Sequence, residues 1–446
     1  MDAKKGKRKL KGWEIFLIVF SIIIVIIAII FILIYVVFKE EISSTQESST
    51  IPIPKIIYKE KFISETVDVE LNNFLIGIPN QNLFINNEGT KVIFGNPYYK
   101  NPDPPNIMGR IEIYEFMNGF WKLSSSIKNN SASNISFGYC ITATDDLKII
   151  FIGNLNIDNI IYIALKNQEN NEYILVNQNT NTVTSYNTLV CTNNLTVNSL
   201  LTGNRSNTND IKIFSVSNSD PYLSFTESLI ANSRYISGVG LDVNILLSGF
   251  EVINNIFNIK TFRKNNQNSW ETNNNIITGF SLVDTFSTNR IFSNNKNFVL
   301  FTGLPTLNDN PGEGVAKIVN IETQGINSQI IFKRGFIPNN IIRSTPLFFS
   351  SSAINNDGSA FIIGTLTPDL FIGSYDINQN KIAITDIIST NNPMNGLAVN
   401  MSNDANVVVS SFYNSQTKKY GFQIFRKELQ TEEDFQIEED FQIEEF

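Results

Sequence analysis

Seven times between residues 86 and 410 one short phrase recurs: a turn of Asn, Asp or Gly, about four β-formers, then Gly or Ser. The clear copies are Asn86-Asn87-Glu88-Gly89 with Lys91 to Phe94 and Gly95, Asp145-Asp146 with Lys148 to Ile152 and Gly153, Asn294-Asn295-Lys296-Asn297 with Phe298 to Thr302 and Gly303, and Asn355-Asn356-Asp357-Gly358 with Ala360 to Ile363 and Gly364. Weaker copies run from Asn193-Asn194 to Gly203, from Asp242-Val243-Asn244 to Gly249, and from Asn403-Asp404-Ala405-Asn406 to Ser410. The closing residues stand 46 to 61 positions apart. A period of that size suits one four-stranded antiparallel sheet, which must stack on its neighbours to bury its faces. The chain is therefore expected to be all-β, a seven-bladed β-propeller over residues 55–427, with a β-sandwich as the alternative.

The first unit is written most plainly. Glu88-Gly89 turns one strand into the next, a long loop is expected from Asn96 to Met108, and Arg110 to Phe116 alternates as a third strand. Asn118-Gly119 then makes a tight turn into Phe120 to Leu123. The last unit supplies only three strands, Gly396 to Met401, Asn406 to Ser411 and Tyr420 to Arg426. Its fourth is expected from Tyr58 to Thr66, which precedes the first unit and would cover an edge that otherwise invites aggregation.

Ahead of the repeats, Ile15 to Phe38 is an apolar run of 24 residues without a charge. As a helix it would be about 36 Å long, enough to cross a bilayer. Lys4, Lys5, Lys7, Arg8, Lys9 and Lys11 precede it, and Lys39, Glu40 and Glu41 follow. The positive-inside rule then makes 1–12 a cytosolic basic segment, 13–38 a transmembrane helix in contact with lipid, and 39–54 a stalk. The head is expected outside or in a lumen. The run is too long for a cleaved signal peptide.

The net charge of −8 is concentrated at the end, because nine acids and no base stand from Glu428 onward. Residues 428–446, with the repeat Glu432-Glu433-Asp434-Phe435-Gln436-Ile437 and Glu438 to Ile443, are expected to be a disordered acidic tail. No basic cluster outside the N-terminal flank could form a phosphate groove, so a nucleic-acid partner is not expected. There is no His, which excludes Ser-His and Cys-His nucleophile pairs and takes away the usual zinc ligand set. Cys140 and Cys191 are too few for a disulfide scaffold and are expected as buried thiols on equivalent inner strands.

The order Gly95-Asn96-Pro97-Tyr98, Gly109 to Tyr114, Asn118-Gly119-Phe120-Trp121, Phe137-Gly138 and Asp145-Asp146 resembles an FG-GAP repeat, the blade unit of integrin-alpha-like propellers. Gly303-Leu304-Pro305 and Gly314 to Val319 repeat part of it. The resemblance implies a propeller fold and not an activity. Its calcium loop, Asp-x-Asp-x-Asp-Gly, is matched only by Asp145-Asp146 and Asn356-Asp357-Gly358, so no metal or other cofactor is expected. The Trp-Asp, Gly-His and paired-Gly signatures of WD and kelch repeats are absent. So is the Ser-x-Asp-x-Gly-x-Thr-Trp box of sialidases, and Arg110, Arg234 and Arg343 are scattered. The Ile- and Asn-rich composition resembles coding from an AT-rich genome, such as that of a large DNA virus or a protist, which would place the head on a virion or host membrane.

Propellers work through surface loops. The candidate rim is Tyr98, Tyr99 and Asp103 in Tyr98 to Pro105, with Asp309 and Glu313 in Thr306 to Gly314. Aromatic and amide groups there suit a protein or glycan ligand, and a binding, adhesion or structural role is expected rather than catalysis. The alternative is a glycosidase-like enzyme using Asp103, Asp309 and Glu313. Asn129, Asn134, Asn194, Asn204 and Asn400 open Asn-x-Ser/Thr triplets and are candidate glycosylation sites.

Overall fold

The computed structural model describes residues 56–66, 82–100, 108–129, 137–153, 160–167, 169–170, 172–179, 188–191, 199–203, 210–217, 222–230, 240–241, 245–253, 256–267, 269–272, 276–281, 286–287, 298–303, 314–320, 325–332, 349–355, 357–365, 368–392 and 394–429. Two units divide the chain, one of Met1–Ile56 with Leu429–Phe446 and one of Ile57–Glu428. Segments 1–12, 13–38 and 39–54 and the tail beyond Leu429 lie outside the described residues. Among the described residues no helix is long and apolar enough to cross a membrane.

Among the described residues the strands form seven antiparallel sheets, six of four strands and one of five. The first sheet runs Leu83–Ile85, Lys91–Lys100, Met108–Met117, Phe120–Lys128, a plain meander. The second runs Cys140–Ala143, Ile149–Gly153, Ile160–Lys166, Tyr173–Asn179, and the third begins at Thr188–Cys191. The fourth, fifth and sixth begin at Gly240–Leu241, Phe286–Ser287 and Phe349–Ile354. The seventh holds Met394–Met401, Val407–Asn414 and Lys419–Leu429, and Ile56–Thr66 completes it by pairing with Lys419–Leu429. Each sheet touches the next, and the seventh touches the first through Met394–Met401 and Leu83–Ile85. In the first, third, fifth and sixth sheets the outer hairpin carries a register shift, at Ile113/Tyr114, Ile213/Phe214, Ile318/Val319 and Ile372/Gly373. Such bulges sharpen the right-handed twist of a sheet.

The residue that ends each recurring phrase, from Gly95 to Ser410, lies on the second strand of its sheet. Two of these glycines show why the repeat needs a small residue. A Cβ on Gly95 would strike the carbonyl oxygen of Gly138, and one on Gly364 would strike that of Gly396. In both cases the neighbour precedes or belongs to the first strand of the next sheet, so backbones of adjacent sheets meet where only glycine fits.

Among the described residues, apolar clusters lie in the seams. Ile93, Ile111, Ile113, Phe137, Ile150 and Tyr162 pack between the first and second sheets, and Ala353, Ile362, Val399, Val408 and Phe425 between the sixth and seventh. Among the described residues the seam between seventh and first is the most aromatic. Phe94 stacks on Phe422 at 4.8 Å between ring centroids, Tyr98 meets Tyr420 edge-on at 5.1 Å, and Phe62 of the closing strand lies 4.9 Å from Tyr114. Each such ring contributes roughly 1.5–3 kcal/mol by burial. Lys61–Glu428 and Lys419–Glu65 ion pairs, and a hydrogen bond from Tyr58 Oη to the Ala405 carbonyl at 2.6 Å, fasten the closing strand.

Two expectations change. The second strand of the first sheet continues to Lys100, which pairs with Met108, so the loop expected from Asn96 is shorter and Tyr98 and Tyr99 lie on a strand. Strand alternation puts Tyr98 on the same side as Phe94, inside the aromatic seam. The last strand reaches Leu429, with Glu428 paired to Lys61, so Glu428, expected in the tail, lies on a strand. Cys140 is a buried thiol and shares with Cys191 a place on the first strand of its sheet; the Cys191 side chain is outside what is described.

A Cβ on Gly421 would overlap the carbonyl oxygen of Ser64 on the closing strand. Gly421→Ala is therefore expected to destabilise the head by about 1–3 kcal/mol and to speed amide exchange at residues 57–65 first. Deleting 56–66 should unfold the head at far lower temperature than deleting 432–446, read by thermal denaturation. Equal melting temperatures for the two truncations would reject closure by this strand.

Candidate interaction surface: a rim of linked turns

Four of the turns between first and second strands share one geometry. They are Asn86 to Lys91, Thr144 to Ile149, Asn355 to Ala360 and Ser402 to Val407. In each, the side-chain oxygen of the first residue accepts the amide N–H of the sixth: Asn86 from Lys91 at 2.8 Å, Thr144 from Ile149 at 3.2 Å, Asn355 from Ala360 at 2.9 Å and Ser402 from Val407 at 3.0 Å. Asn, Thr and Ser are the residues whose short polar side chains can replace a backbone acceptor in this way. The fourth residue is left-handed every time, as Gly89, Leu147, Gly358 and Ala405. Leu147 and Ala405 adopt it despite their Cβ because both are buried in the seams, and that burial offsets the strain.

The third residue is always acidic: Glu88, Asp146, Asp357 and Asp404. Asp404 accepts hydrogen bonds from Ser402 Oγ at 2.6 Å and from the N–H of Asn406 at 3.0 Å. Asp146 accepts from Thr144 Oγ1 at 2.7 Å and pairs with Lys148 at 2.8 Å. Partial burial opposes ionisation of both groups, but these donors outweigh it and hold both carboxyls below the usual range.

The turns are also tied to one another. Asn355 Nδ2 donates to the Asn403 carbonyl at 3.1 Å, the Asn403 N–H to the Asn87 carbonyl at 2.9 Å, and the Asn87 N–H to Asp145 Oδ1 at 2.7 Å. One hydrogen-bonded line thus crosses from the sixth sheet through the seventh and first to the second. It sets Glu88, Asp146, Asp357 and Asp404 on the exposed side of one rim. Among the described residues no three Asp, Glu or Cys side chains gather as metal ligands.

This rim is not the one expected from sequence. In a meander the turns after the first and third strands share one end, and those after the second share the other. The strand ends at Lys100 and Met108, and at Gly303 and Gly314, therefore belong to the opposite end, while 101–107 and 304–313 lie outside the described residues. Tyr98 is buried, and burial raises its hydroxyl well above the usual tyrosine range. Tyr99 is half-buried, with the Arg110 guanidinium 3.8 Å above its ring and Lys128 Nζ 6.0 Å away. Arg110 in turn pairs with the buried Glu112, which also accepts from Tyr114 Oη at 2.8 Å. Asp103, Asp309 and Glu313 lie outside the described residues, as do Asn134, Asn194 and Asn204. Asn129 and Asn400 are 3% and 2% exposed, and Asn400 Nδ2 donates to the Leu83 carbonyl at 3.3 Å, so neither amide has room for a glycan in the folded head.

No family model matches the chain, and no curated protein does. Solved structures do. The structure of U3-55K aligns with a TM-score of 0.52 at 10% identity, over 83% of this chain and 99% of that one. The RRP9 WD40 repeats align with 0.52 at 10% identity, over 78% and 93%. A chain of the mitotic checkpoint complex aligns with 0.52 at 12% identity, over 85% and 95%. The fold is a β-propeller. The likeness reaches propellers of WD40 type although the WD signatures are missing, since the blade is a backbone arrangement that many side-chain sets can satisfy.

Because Asp146 and Asp404 have depressed folded-state values, their contribution is fully present above the unfolded value of about 4 and is lost as pH falls through the folded one. Asp404→Asn, which keeps an oxygen acceptor but not the charge, should therefore lose less melting temperature than wild type between about pH 5 and pH 3. Identical acid slopes would show that the carboxylate charge does not hold the turn.

Proposed function

We propose that this chain is a single-pass type II membrane protein whose seven-bladed, FG-GAP-like propeller head acts as a binding, adhesion or structural surface module. The observation that carries the binding role is the hydrogen-bonded line Asn355–Asn403–Asn87–Asp145, which holds four neighbouring turns as one array. A pre-organised array loses little freedom when a partner docks, so its contacts appear as affinity instead of being spent on ordering. The outward carboxylates of Glu88, Asp146, Asp357 and Asp404 suit a protein segment carrying Lys or Arg. The anchor rests on the uncharged run Ile15 to Phe38 and its cationic flank. A glycan partner at the opposite end, around Tyr99, is a second reading favoured by the half-buried aromatic beside two cations.

The test uses the full chain in sealed vesicles and then on an array of glycans and basic proteins. The head should be protected from protease while an N-terminal tag is digested. Capture of basic proteins should weaken with salt and fall when Asp146, Asp357 and Asp404 become Asn together. Capture by glycans alone, unchanged in that triple variant, would move the binding site away from this rim.

A further inference from the structure

At the outer part of the seam between the seventh and first sheets, three side chains form a stack with unspent polar capacity. Phe116 and Trp121 face each other across the outer hairpin of the first sheet, with ring centroids 5.4 Å apart. The Arg426 guanidinium, from the last strand, lies 4.7 Å over the Phe116 ring. Trp121 is 6% exposed, yet its indole Nε1–H is buried with no acceptor. A buried donor without a partner is costly and is uncommon in folded proteins unless something else supplies the acceptor. Arg426 has no carboxylate partner among the described residues; its described contact is the ring beneath it. Two residues beyond Trp121, on the same side of the strand, Leu123 is 52% exposed.

We propose that Trp121, Phe116 and Arg426 form a binding site for an acidic peptide, one whose carboxylate is followed or preceded by an aromatic or aliphatic side chain. The carboxylate takes the Arg426 guanidinium in a charge-assisted pair and accepts the indole N–H, the buried donor that has no acceptor. The apolar neighbour covers Leu123. Arg426 is the movable part, since its long side chain is only half-buried and can tilt off Phe116 to open the indole to the incoming oxygen. The Arg426 cation selects this occupant over a basic one at the stack itself, which borders the turns Asn86 to Lys91 and Ser402 to Val407: Arg426 pairs with Val407, and the Phe116 N–H donates to the Thr90 carbonyl. It stands whether or not the head is carried on a membrane anchor.

The chain has three tryptophans, Trp13, Trp121 and Trp270, so the full protein in detergent gives three indole N–H resonances in a proton–nitrogen correlation spectrum. The probe is the synthetic peptide N-acetyl-Glu-Asp-Phe-amide. It should move one indole proton downfield, the one that Trp121→Phe removes, and bind about tenfold more weakly to Arg426→Gln. Arg426→Lys, which keeps the charge but not the planar fork, should fall between. If Trp121→Phe does not fold, the indole perturbed by Arg426→Gln in the absence of probe provides the assignment. Equal binding to wild type and Arg426→Gln overturns the proposal. So does an unmoved Trp121 resonance, or the same shift produced by inorganic phosphate, which would make the site one for any anion.

Discussion

Everything in the head depends on the seam where its two ends meet. The strand Ile56–Thr66 enters the seventh sheet beside Lys419–Leu429, more than 350 residues away in sequence. Joining such distant segments costs loop-closure entropy before any contact repays it. The repayment is local and large: Phe62, Phe94, Tyr98, Tyr114, Tyr420 and Phe422 share one aromatic cluster, with ion pairs along its outer strand. Without it the seventh sheet would present an open edge and the first would lose the cover of Phe94 and Tyr114.

The same seam sets limits on chemistry. Tyr420 is fully buried, and burial pushes its hydroxyl well above the normal range, with Tyr98 adding to the effect. Asn82 donates to it and to the Gly95 carbonyl, at 2.5 and 2.6 Å. These groups act as neutral donors and acceptors that position the first strand of the first sheet. They are structural, and a ligand is expected at the exposed margins of the sheets instead.

The other seams rely on repetition. One turn geometry, written as NNEGTK, TDDLKI, NNDGSA and SNDANV, recurs with different letters because the required properties are few: a short acceptor, an acid and a backbone able to turn left-handed. Glycine meeting glycine between adjacent sheets is a second device of this kind. Both are backbone requirements, which is why structural likeness to WD40 propellers survives at 10–12% identity while sequence signatures do not.

By itself the sequence determined what depends on neighbours a few residues away. Alternation marked Lys91 to Phe94 and Arg110 to Phe116 as strands, Asn118-Gly119 as a turn, and the spacing of Gly95, Gly153, Gly203, Gly249, Gly303, Gly364 and Ser410 as a period. Even closure by Tyr58 to Thr66 was legible, because a missing fourth strand leaves an edge that must be covered. Only the tertiary structure decided what depends on residues far along the chain. Tyr98 looked exposed beside prolines, but Tyr420 buries it. Asn400 looked like a glycan acceptor, but the Leu83 carbonyl claims its amide. The turns at Asn87, Asp145, Asn355 and Asn403 read as separate loops until the ring set them side by side, and Trp121 and Arg426 are neighbours only because the first and last sheets touch. A local pattern carries no information about which distant surface will meet it, and burial and hydrogen bonding are settled by that meeting.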